Sequence, residues 1–233
     1  MPTIVFVSPK GGVGKTTSAL LLATQLASLY DVTVIDADPN RPIKTWASGG
    51  HAPARLSIVS DADEENIIER IEEAAAKTPL VIVDLEGTAA KIVVLAVSQA
   101  DFVVIPTQGS QLDAEQANRA IKVVKQHEKM TGRAMPYAVL LTRTNATIRT
   151  RNTTHIQSGL INAGIPVLET ELNEREAFRS VFSFRQTLAG LDPKQVANLD
   201  KARQNIEDFA TELLSKLSGS ARQGTSTSTQ AVA

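Results

Sequence analysis

The chain has 233 residues, 42% of them hydrophobic, and its 24 Lys and Arg residues almost balance 25 Asp and Glu residues, giving a formal net charge of −1. A chain of this size can bury one sizeable core, and its charge balance argues against a protein that is strongly basic overall. Because cysteine is absent, disulfide bonds and thiolate-bound metal or iron–sulfur sites are excluded. No apolar run approaches the ~20 residues of a membrane-spanning helix, and the strand-like N-terminus argues against a signal peptide, so we expect a cytoplasmic protein.

Short apolar runs alternate with amphipathic stretches along most of the chain. Strands are predicted near 3–8, 32–36, 56–59, 80–84, 102–106, 137–142 and 165–168. Strands that alternate with helix-length stretches are typical of βαβ units, which build parallel sheets. We therefore predict an α/β fold in three layers, with a mostly parallel twisted sheet flanked by helices.

The first predicted strand runs directly into a glycine-rich segment, Lys10-Gly-Gly-Val-Gly-Lys-Thr-Thr17. Its glycines let backbone N–H groups converge on an anion, and the N-terminus of the next helix favours negative charge. This pattern predicts a phosphate-binding loop, and hence a P-loop NTPase. Lys15 would reach the β- and γ-phosphates, and the Thr16 hydroxyl would ligate Mg²⁺. The predicted nucleotide-binding residues of this loop are Gly11, Gly12, Val13, Gly14, Lys15, Thr16 and Thr17.

The loop departs from the general P-loop pattern, because Pro9 replaces its first glycine and a second lysine, Lys10, stands at its head. In this form it resembles the loop of the ParA/MinD group of deviant Walker-A ATPases, and most closely that of the small ParA-type plasmid and chromosome partition ATPases. The resemblance implies ATP and Mg²⁺ as cofactors, hydrolysis of ATP to ADP and phosphate, and an ATP-dependent sandwich homodimer. It also implies that Lys10 crosses the dimer interface to the phosphates of the other subunit.

Two predicted strands end in carboxylates. One ends at Asp36, with Asp38 two residues further on, and the other delivers Asp84 in a Walker-B pattern. The carboxyl ends of parallel strands meet at the edge where open α/β folds bind ligands, so Asp84 is predicted to hold Mg²⁺. By resemblance, Asp36 lies near Mg²⁺, Asp38 orients the attacking water, and the Gly87 N–H contacts the γ-phosphate. The predicted catalytic residues are thus Lys10, Lys15 and Asp38, and the predicted metal-binding residues are Thr16, Asp36 and Asp84.

Alternatives stay open at three of these segments. Asp38 also fits an acidic turn that caps the following helix. Asp113 follows the strand near 102–106 in a segment that resembles the family's region beside the dimer interface, but it is better interpreted as the N-cap of a helix that begins at 114. Arg143, after the strand near 137–142, is predicted to stack on the nucleotide base by resemblance, and the alternative is a polar loop.

A basic surface is expected because partition ATPases of this type bind nonspecific DNA as ATP-bound dimers. Two groups of arginines are candidates, Arg149 with Arg151 and Arg175 with Arg179. The members of the second pair are four residues apart and so share one face of a predicted helix. The alternative for either group is an ordinary solvated surface.

The C-terminal region separates branches of the family. Residues 196–217 carry apolar side chains at helical spacing, which predicts a helix that packs on the domain. Its polar face mixes acids with lysines, whereas a membrane-targeting helix should be basic there, so we expect no membrane binding. Residues 218–233 are rich in Gly, Ser, Thr and Gln, which predicts a disordered tail. The expected organisation is a single P-loop ATPase domain, 1–217, followed by that tail.

The resemblance as a whole implies an ATP-dependent DNA-segregation ATPase. Its ATP-bound dimer would bind nonspecific DNA on the nucleoid, and slow hydrolysis stimulated by a centromere-binding partner of the ParB type would release it. Asn40-Arg41-Pro42, followed by Trp46, also resembles the VirC-like transfer-DNA branch, so an accessory ATPase of a transfer-DNA border complex is an alternative. A P-loop metabolic ligase is a further alternative, although no constellation that would bind a carboxylate substrate is recognisable.

Overall fold

The computed structural model describes residues 1–86, 90–148 and 150–226. The strands are β1 (Thr3–Phe6), β2 (Val32–Ala37), β3 (Leu56–Val59), β4 (Leu80–Leu85), β5 (Phe102–Thr107), β6 (Tyr137–Thr144) and β7 (Leu172–Asn173). The helices are α1 (Lys15–Leu26), α2 (Pro42–Ala47), α3 (Ile67–Lys77), α4 (Ala90–Ser98), α5 (Gln111–Thr131), α6 (Arg151–Asn162), α7 (Glu176–Ser183) and α8 (Leu199–Ser226).

The seven strands form one sheet in the order β3-β2-β4-β1-β5-β6-β7, and all neighbouring pairs are parallel. The chain builds outward from β1 to one edge of the sheet and then returns to the other side of β1 with β5. Ligands of open α/β folds bind where the strand order reverses in this way. The segment after β1, which is the predicted phosphate-binding loop, therefore stands at the expected ligand-binding edge.

Helices cover both faces of the sheet, because its strands are apolar on both faces. In β1, Ile4 and Phe6 belong to one core and Val5 belongs to the other, as the alternation of side chains along a strand requires. The first core is closed by α1, α2, α7 and α8, and the second by α3, α4, α5 and α6. The predicted three-layer α/β fold is confirmed.

The seventh strand is not where the sequence placed it. The segment 165–168 makes only an isolated bridge, between Val167 and Val139, and the strand that pairs with the end of β6 is Leu172–Asn173. Pro166 has no N–H to donate to a ladder. Beyond it, the backbone N–H groups of Glu169 and Thr170 donate to the carboxylate of Glu212 on α8, at 2.9 and 2.8 Å. These bonds turn the chain away from β6 before the ladder resumes.

Helix α8 packs on the domain as predicted, with the apolar stripe that includes Ile206, Phe209 and Leu213 buried against the first core. It begins three residues later than predicted and ends at Ser226, nine residues beyond the predicted end at 217. The tail predicted from 218 is therefore helical as far as 226, and 227–233 lie outside the described residues. Within the described part of the chain, no helix combines the length and the apolar character needed to span a membrane.

Candidate nucleotide-binding site

The glycine-rich loop has the backbone conformation that its glycines predict. Gly12 and Gly14 lie in the left-handed region, with φ of 75° and 96°, and Gly14 directly precedes α1. The loop is tied to β6, because the Thr142 hydroxyl donates to the carbonyl of Val13 at 2.7 Å. The N-terminus of the 12-residue helix α1 is thus presented at the edge of the sheet, as phosphate binding requires.

The two lysines of the loop have different surroundings. Lys15 is buried, and its Nζ donates to the carbonyl of Lys10 at 3.3 Å. Burial lowers the pKa of Lys15, while the nearby negative charges of Asp84, Asp38 and Glu86 act in the opposite direction. Lys10, in contrast, has a side chain that is 41% exposed. One lysine therefore belongs to the site itself, and the other stands at its mouth.

Asp36 and Asp84 face each other on neighbouring strands, in register across β2 and β4. Both are buried, and neither oxygen of Asp84 has a hydrogen-bond partner among the described residues, nor does Oδ1 of Asp36. Burial raises the pKa of Asp84 to about 7, against the opposing effects of the nearby Thr16 hydroxyl and Lys15. It also raises the pKa of Asp36, although the backbone N–H of Lys44 donates to Asp36 at 2.9 Å.

These orphaned oxygens fit a divalent cation. Mg²⁺ prefers carboxylate, hydroxyl and phosphate oxygens and keeps several of its waters, so it is bound by one or two carboxylates together with substrate phosphates. Thr16, Asp36 and Asp84 supply such a set of oxygens beside the phosphate-binding loop. The sequence predicted these three residues as metal-binding; the structure brings them together beside the loop, and their metal-binding role stays a prediction.

Asp38 is half-buried and lines a cavity of about 360 Å³ with Ala37, Pro39, Arg41, Ala62, Asp63, Glu64, Glu86 and Ile92. Its Oδ1 accepts the backbone N–H of Asn40 at 2.8 Å and so closes a local turn. The residue that precedes α2 is Arg41, at a φ of 48°, and not Asp38. Asp38 therefore does not cap the following helix, and its side chain borders a space that is open to water.

The segment after β5 contacts the glycine-rich loop through Asp113. The Lys10 ammonium contacts Asp113 Oδ1 at 2.6 Å, and the Asp113 side chain is only 2% exposed. Gln108 adds a bond from its Nε2 to the Gly12 carbonyl at 3.0 Å. The interpretation of Asp113 as an N-cap is wrong, because α5 begins three residues earlier and its N-cap is Ser110. Ser110 Oγ accepts the Asp113 N–H at 3.2 Å and also donates to Asp113 Oδ2.

A second cavity of about 360 Å³ lies beside the loop. It is lined by Gly14, Thr17, Ser18, Thr142, Arg143, Leu172, Asn173, Glu174, Arg175, Phe178, Arg179 and Phe182. Arg143, predicted to contact the base, is therefore next to the loop. Arg175 and Arg179, predicted to bind DNA, are brought to the same cavity. Asn173 and Phe178 were missed, because the sequence placed the strand that ends at Asn173 several residues too early.

Three of the four predicted DNA-binding arginines lie in the described part of the chain. Arg179 is paired with Glu174 and Glu176, at 2.9 and 3.0 Å, and Arg175 donates to Asn173 Oδ1 at 3.0 Å. Arg151 is exposed at the start of α6. Arg149, and Gly87 of the predicted γ-phosphate contact, lie outside the described residues.

Replacing Asp84 with Asn removes a carboxyl group whose pKa is raised from 3.8 to about 7. The folded protein retains this proton at pH values where the unfolded chain has lost it, so the group stabilises the fold at low pH and this contribution is lost as the pH rises through about 7. In EDTA and without nucleotide, we expect Asp84→Asn to raise the melting temperature over wild type clearly more at pH 8 than at pH 5, where only part of the contribution has been lost. Thermal unfolding by circular dichroism measures this. The exposed Asp31→Asn is the control, and an equal difference at both pH values would contradict the explanation.

Comparisons with known proteins agree with this site. A family model described as VirC1 protein matches residues 1–208. Protein ParA from Rhizobium radiobacter is 37% identical over 223 residues, which cover 95% of this chain and 100% of that protein. Protein virC1 from Rhizobium rhizogenes is 27% identical over 194 residues, covering 78% of this chain and 80% of that protein. The structure of a ParA family ATPase from Chlorobium tepidum TLS has the same fold, with a TM-score of 0.70 at 17% identity over 91% of this chain and 98% of that chain.

The sequence predicted membership of the ParA/MinD group from the segment that begins at Lys10 and from the acids at the strand ends, and these matches confirm it. The seven-stranded parallel sheet with helices on both faces is also the ParA/MinD fold. The chain belongs to the VirC1/ParA family, within the ParA/MinD group of partition and positioning ATPases.

Proposed function

We propose that this protein is an ATP-dependent DNA-partition ATPase whose ATP-bound sandwich dimer binds nonspecific DNA. The observation that carries the proposal is the difference in burial between the loop's two lysines. Lys15 is buried among the site's own acids, and Lys10 stands exposed at the mouth of the loop, where it pairs with Asp113. A cation in that position can neutralise a phosphate that a second subunit brings to it. Family membership supports the same dimer.

Within one subunit, the loop glycines and the N-terminus of α1 hold the phosphates of ATP, and the ammonium of Lys15 balances part of the negative charge of the phosphates. Bound Mg²⁺ would supply further positive charge at the phosphates, with Thr16, Asp36 and Asp84 as its protein ligands or near neighbours. Asp38 orients the attacking water from the cavity it lines. Because phosphoryl transfer relies on positioning and no strong general base is recognisable, we expect slow intrinsic turnover.

The base of the nucleotide occupies the cavity beside Gly14. Its wall offers the guanidinium of Arg143 and the ring of Phe178, which suit stacking on a flat aromatic ligand. Asn173 and Arg175, joined at 3.0 Å, supply polar groups for the edge of a base. These contacts support a purine nucleotide, and the choice of ATP follows from the family.

The dimer is the state that binds DNA. Loss of the γ-phosphate removes contacts that hold the two subunits together, so hydrolysis releases the dimer and its DNA. A centromere-binding partner of the ParB type accelerates this step, and the protein is cytoplasmic, associated with the nucleoid when ATP is bound. The family supports these partners, and we expect no membrane association.

A second candidate is an accessory ATPase of a transfer-DNA border complex. It is favoured by the VirC1 family model, which matches residues 1–208. The segment Asn40-Arg41-Pro42 points the same way, with Arg41 preceding a helix that begins at Pro42. A border duplex and a scrambled duplex of equal length distinguish the two functions. Equal affinity supports partition, and a clear preference for the border supports the accessory role.

The nucleotide dependence of DNA binding tests the proposal. We expect binding to an arbitrary duplex with ATP and Mg²⁺, and little binding with ADP or without nucleotide, since only the dimer presents the complete surface. Lys15→Ala should abolish both ATP and DNA binding, whereas the exposed Lys77→Ala on α3 should change neither. Fluorescence anisotropy across a salt series measures this. Tight ATP binding by Lys15→Ala would reject the assignment of the loop.

Asp38→Ala should slow hydrolysis at least about tenfold, because water orientation is a large part of phosphoryl-transfer catalysis. ATP binding should persist, so the variant accumulates as an ATP-bound dimer that stays on DNA. Size-exclusion chromatography with light scattering, together with phosphate release, measures both effects, and Asp31→Ala is the control of equal charge. A variant that remains monomeric at saturating ATP would count against this role.

Formation of the dimer requires Lys10 to leave Asp113. Asp113→Asn removes the charge that holds Lys10 but keeps the shape of the side chain. An ion pair with one exposed partner contributes up to ~1 kcal/mol, so we expect dimerisation at about fivefold lower ATP concentration. Glu115→Gln is the control, since it removes an exposed acid from the same helix and leaves Lys10, Asp113 and Ser110 in place. An unchanged or higher ATP requirement for Asp113→Asn would show that the pair does not restrain Lys10.

A further inference from the structure

The charge of the chain is unevenly distributed. Residues 116–168 contain eight Lys and Arg residues and a single acid, Glu128, so this segment has a net charge of +7. The whole chain has a net charge of −1, so the remainder carries −8. Charge asymmetry of this size within one chain points to a polyanionic partner for the basic part. The segment comprises α5 beyond its first turn, β6 and α6.

The structure places several of these cations on two neighbouring helices. Helices α5 and α6 are neighbours in the same layer, and both pack into the second core through their apolar faces. Between Glu115 and Met130, the exposed side chains of α5 are amides and cations. These exposed residues are Asn118, Arg119, Lys122, Lys125, Gln126 and Lys129. Next to them, α6 exposes Arg151 and His155, and no acid occurs between Glu128 and Glu169.

The cations of α5 are largely unpaired. Glu128 is engaged by Lys125 at 2.8 Å and by the backbone N–H of Met135 at 3.0 Å. Arg119, Lys122 and Lys129 have no ion pair or hydrogen bond within the described parts of the chain. An ordinary solvated helix face usually mixes both signs of charge and pairs them at i,i+3 or i,i+4 spacing. This face is of one sign, and its charges are free to meet phosphates.

We infer that the outer face of α5, continued by Arg151 on α6, is the surface that binds the DNA phosphate backbone. The inference rests on the proposed function and replaces Arg175 and Arg179, whose guanidinium groups are committed to the cavity beside the loop. Lys122 and Lys129 are seven residues apart, which is about 10 Å along the helix. A row of cations with this spacing follows a phosphate backbone, and its contacts carry no sequence information.

The double variant Lys122→Glu/Lys129→Glu tests this surface. With ATP and Mg²⁺, we expect its affinity for an arbitrary duplex to fall at least about tenfold, and the slope of log affinity against log salt concentration to decrease by about 2. The matched control is Lys194→Glu/Lys201→Glu, two exposed lysines at the start of the C-terminal region, which changes the net charge equally. The control should retain most of the affinity and the wild-type salt slope.

ATP-dependent dimerisation is measured in the same samples and should survive in both variants, which separates loss of the surface from loss of the switch. If the charge reversal unfolds the protein, Lys122→Gln/Lys129→Gln replaces it, with the same expected change in salt slope. A test variant that binds DNA as the control does would overturn the inference and leave the proposed function intact. Wild-type protein that binds no DNA in any nucleotide state would reject both. Binding of poly-glutamate that the test variant loses, with DNA binding unchanged, would assign the face to an acidic protein and also overturn the inference.

Discussion

A buried carboxylate oxygen without a hydrogen-bond donor is costly, and among the described residues this fold retains three of them on two neighbouring carboxylates, Oδ1 of Asp36 and both oxygens of Asp84. The positive charge of Lys15, which lies close by, offsets part of this cost. The same carboxylates would become useful when a cation and phosphates bind. The rest of the site is arranged around this constraint. The strand order brings β2, β4 and the loop after β1 together, and each strand is buried on both faces so that its last residue is delivered rigidly. The stability of the apo protein and its affinity for nucleotide thus depend on the same charges.

In the proposed dimer, the second lysine would let one loop serve two subunits. Lys15 is fixed by burial, whereas Lys10 is held by a single acid that belongs to the first turn of α5. Because Asp113 is itself fixed by Ser110, the pair opens through movement of the lysine and not through rearrangement of the helix. An exposed ion pair of this kind is weak enough to be exchanged for a phosphate contact. The geometry therefore allows the monomer to exist with Lys10 satisfied and the dimer to form without unfolding any element.

Most of the fold follows from local patterns in the sequence. Six strands were predicted within a few residues because their apolar runs are followed by turn or helix signals. Since the carboxyl ends of parallel strands meet at one edge of the sheet, the acids at those ends were predicted to lie together there. The seventh strand was predicted wrongly, because bonds from Glu169 and Thr170 to the distant Glu212 decide where the chain leaves β6. The same error concealed that Asn173 and Phe178 line the cavity beside the loop. Contacts between segments far apart in sequence leave no periodic trace, so neither these residues nor the Lys10–Asp113 pair could be found from spacing alone.

The overall charge of −1 conceals a molecule with two electrostatic sides. Acidic side chains lie at the sheet edge beside the phosphate-binding loop, and basic side chains lie on α5 and α6. The near-neutral total therefore results from separated charges that cancel, and not from a lack of charged residues. Helix α5 belongs to both sides, since its first turn holds Lys10 and its outer face carries Arg119, Lys122 and Lys129. A helix of 21 residues is a rigid rod of about 30 Å. Asp113 and the basic outer face lie on the same rigid helix, so the paired subunits of the proposed dimer would set two such faces in a fixed relation. In this proposal, DNA would meet a doubled row of cations only in the ATP-bound dimer, which would give a physical reason for nucleotide control of a surface that contains no nucleotide contact of its own.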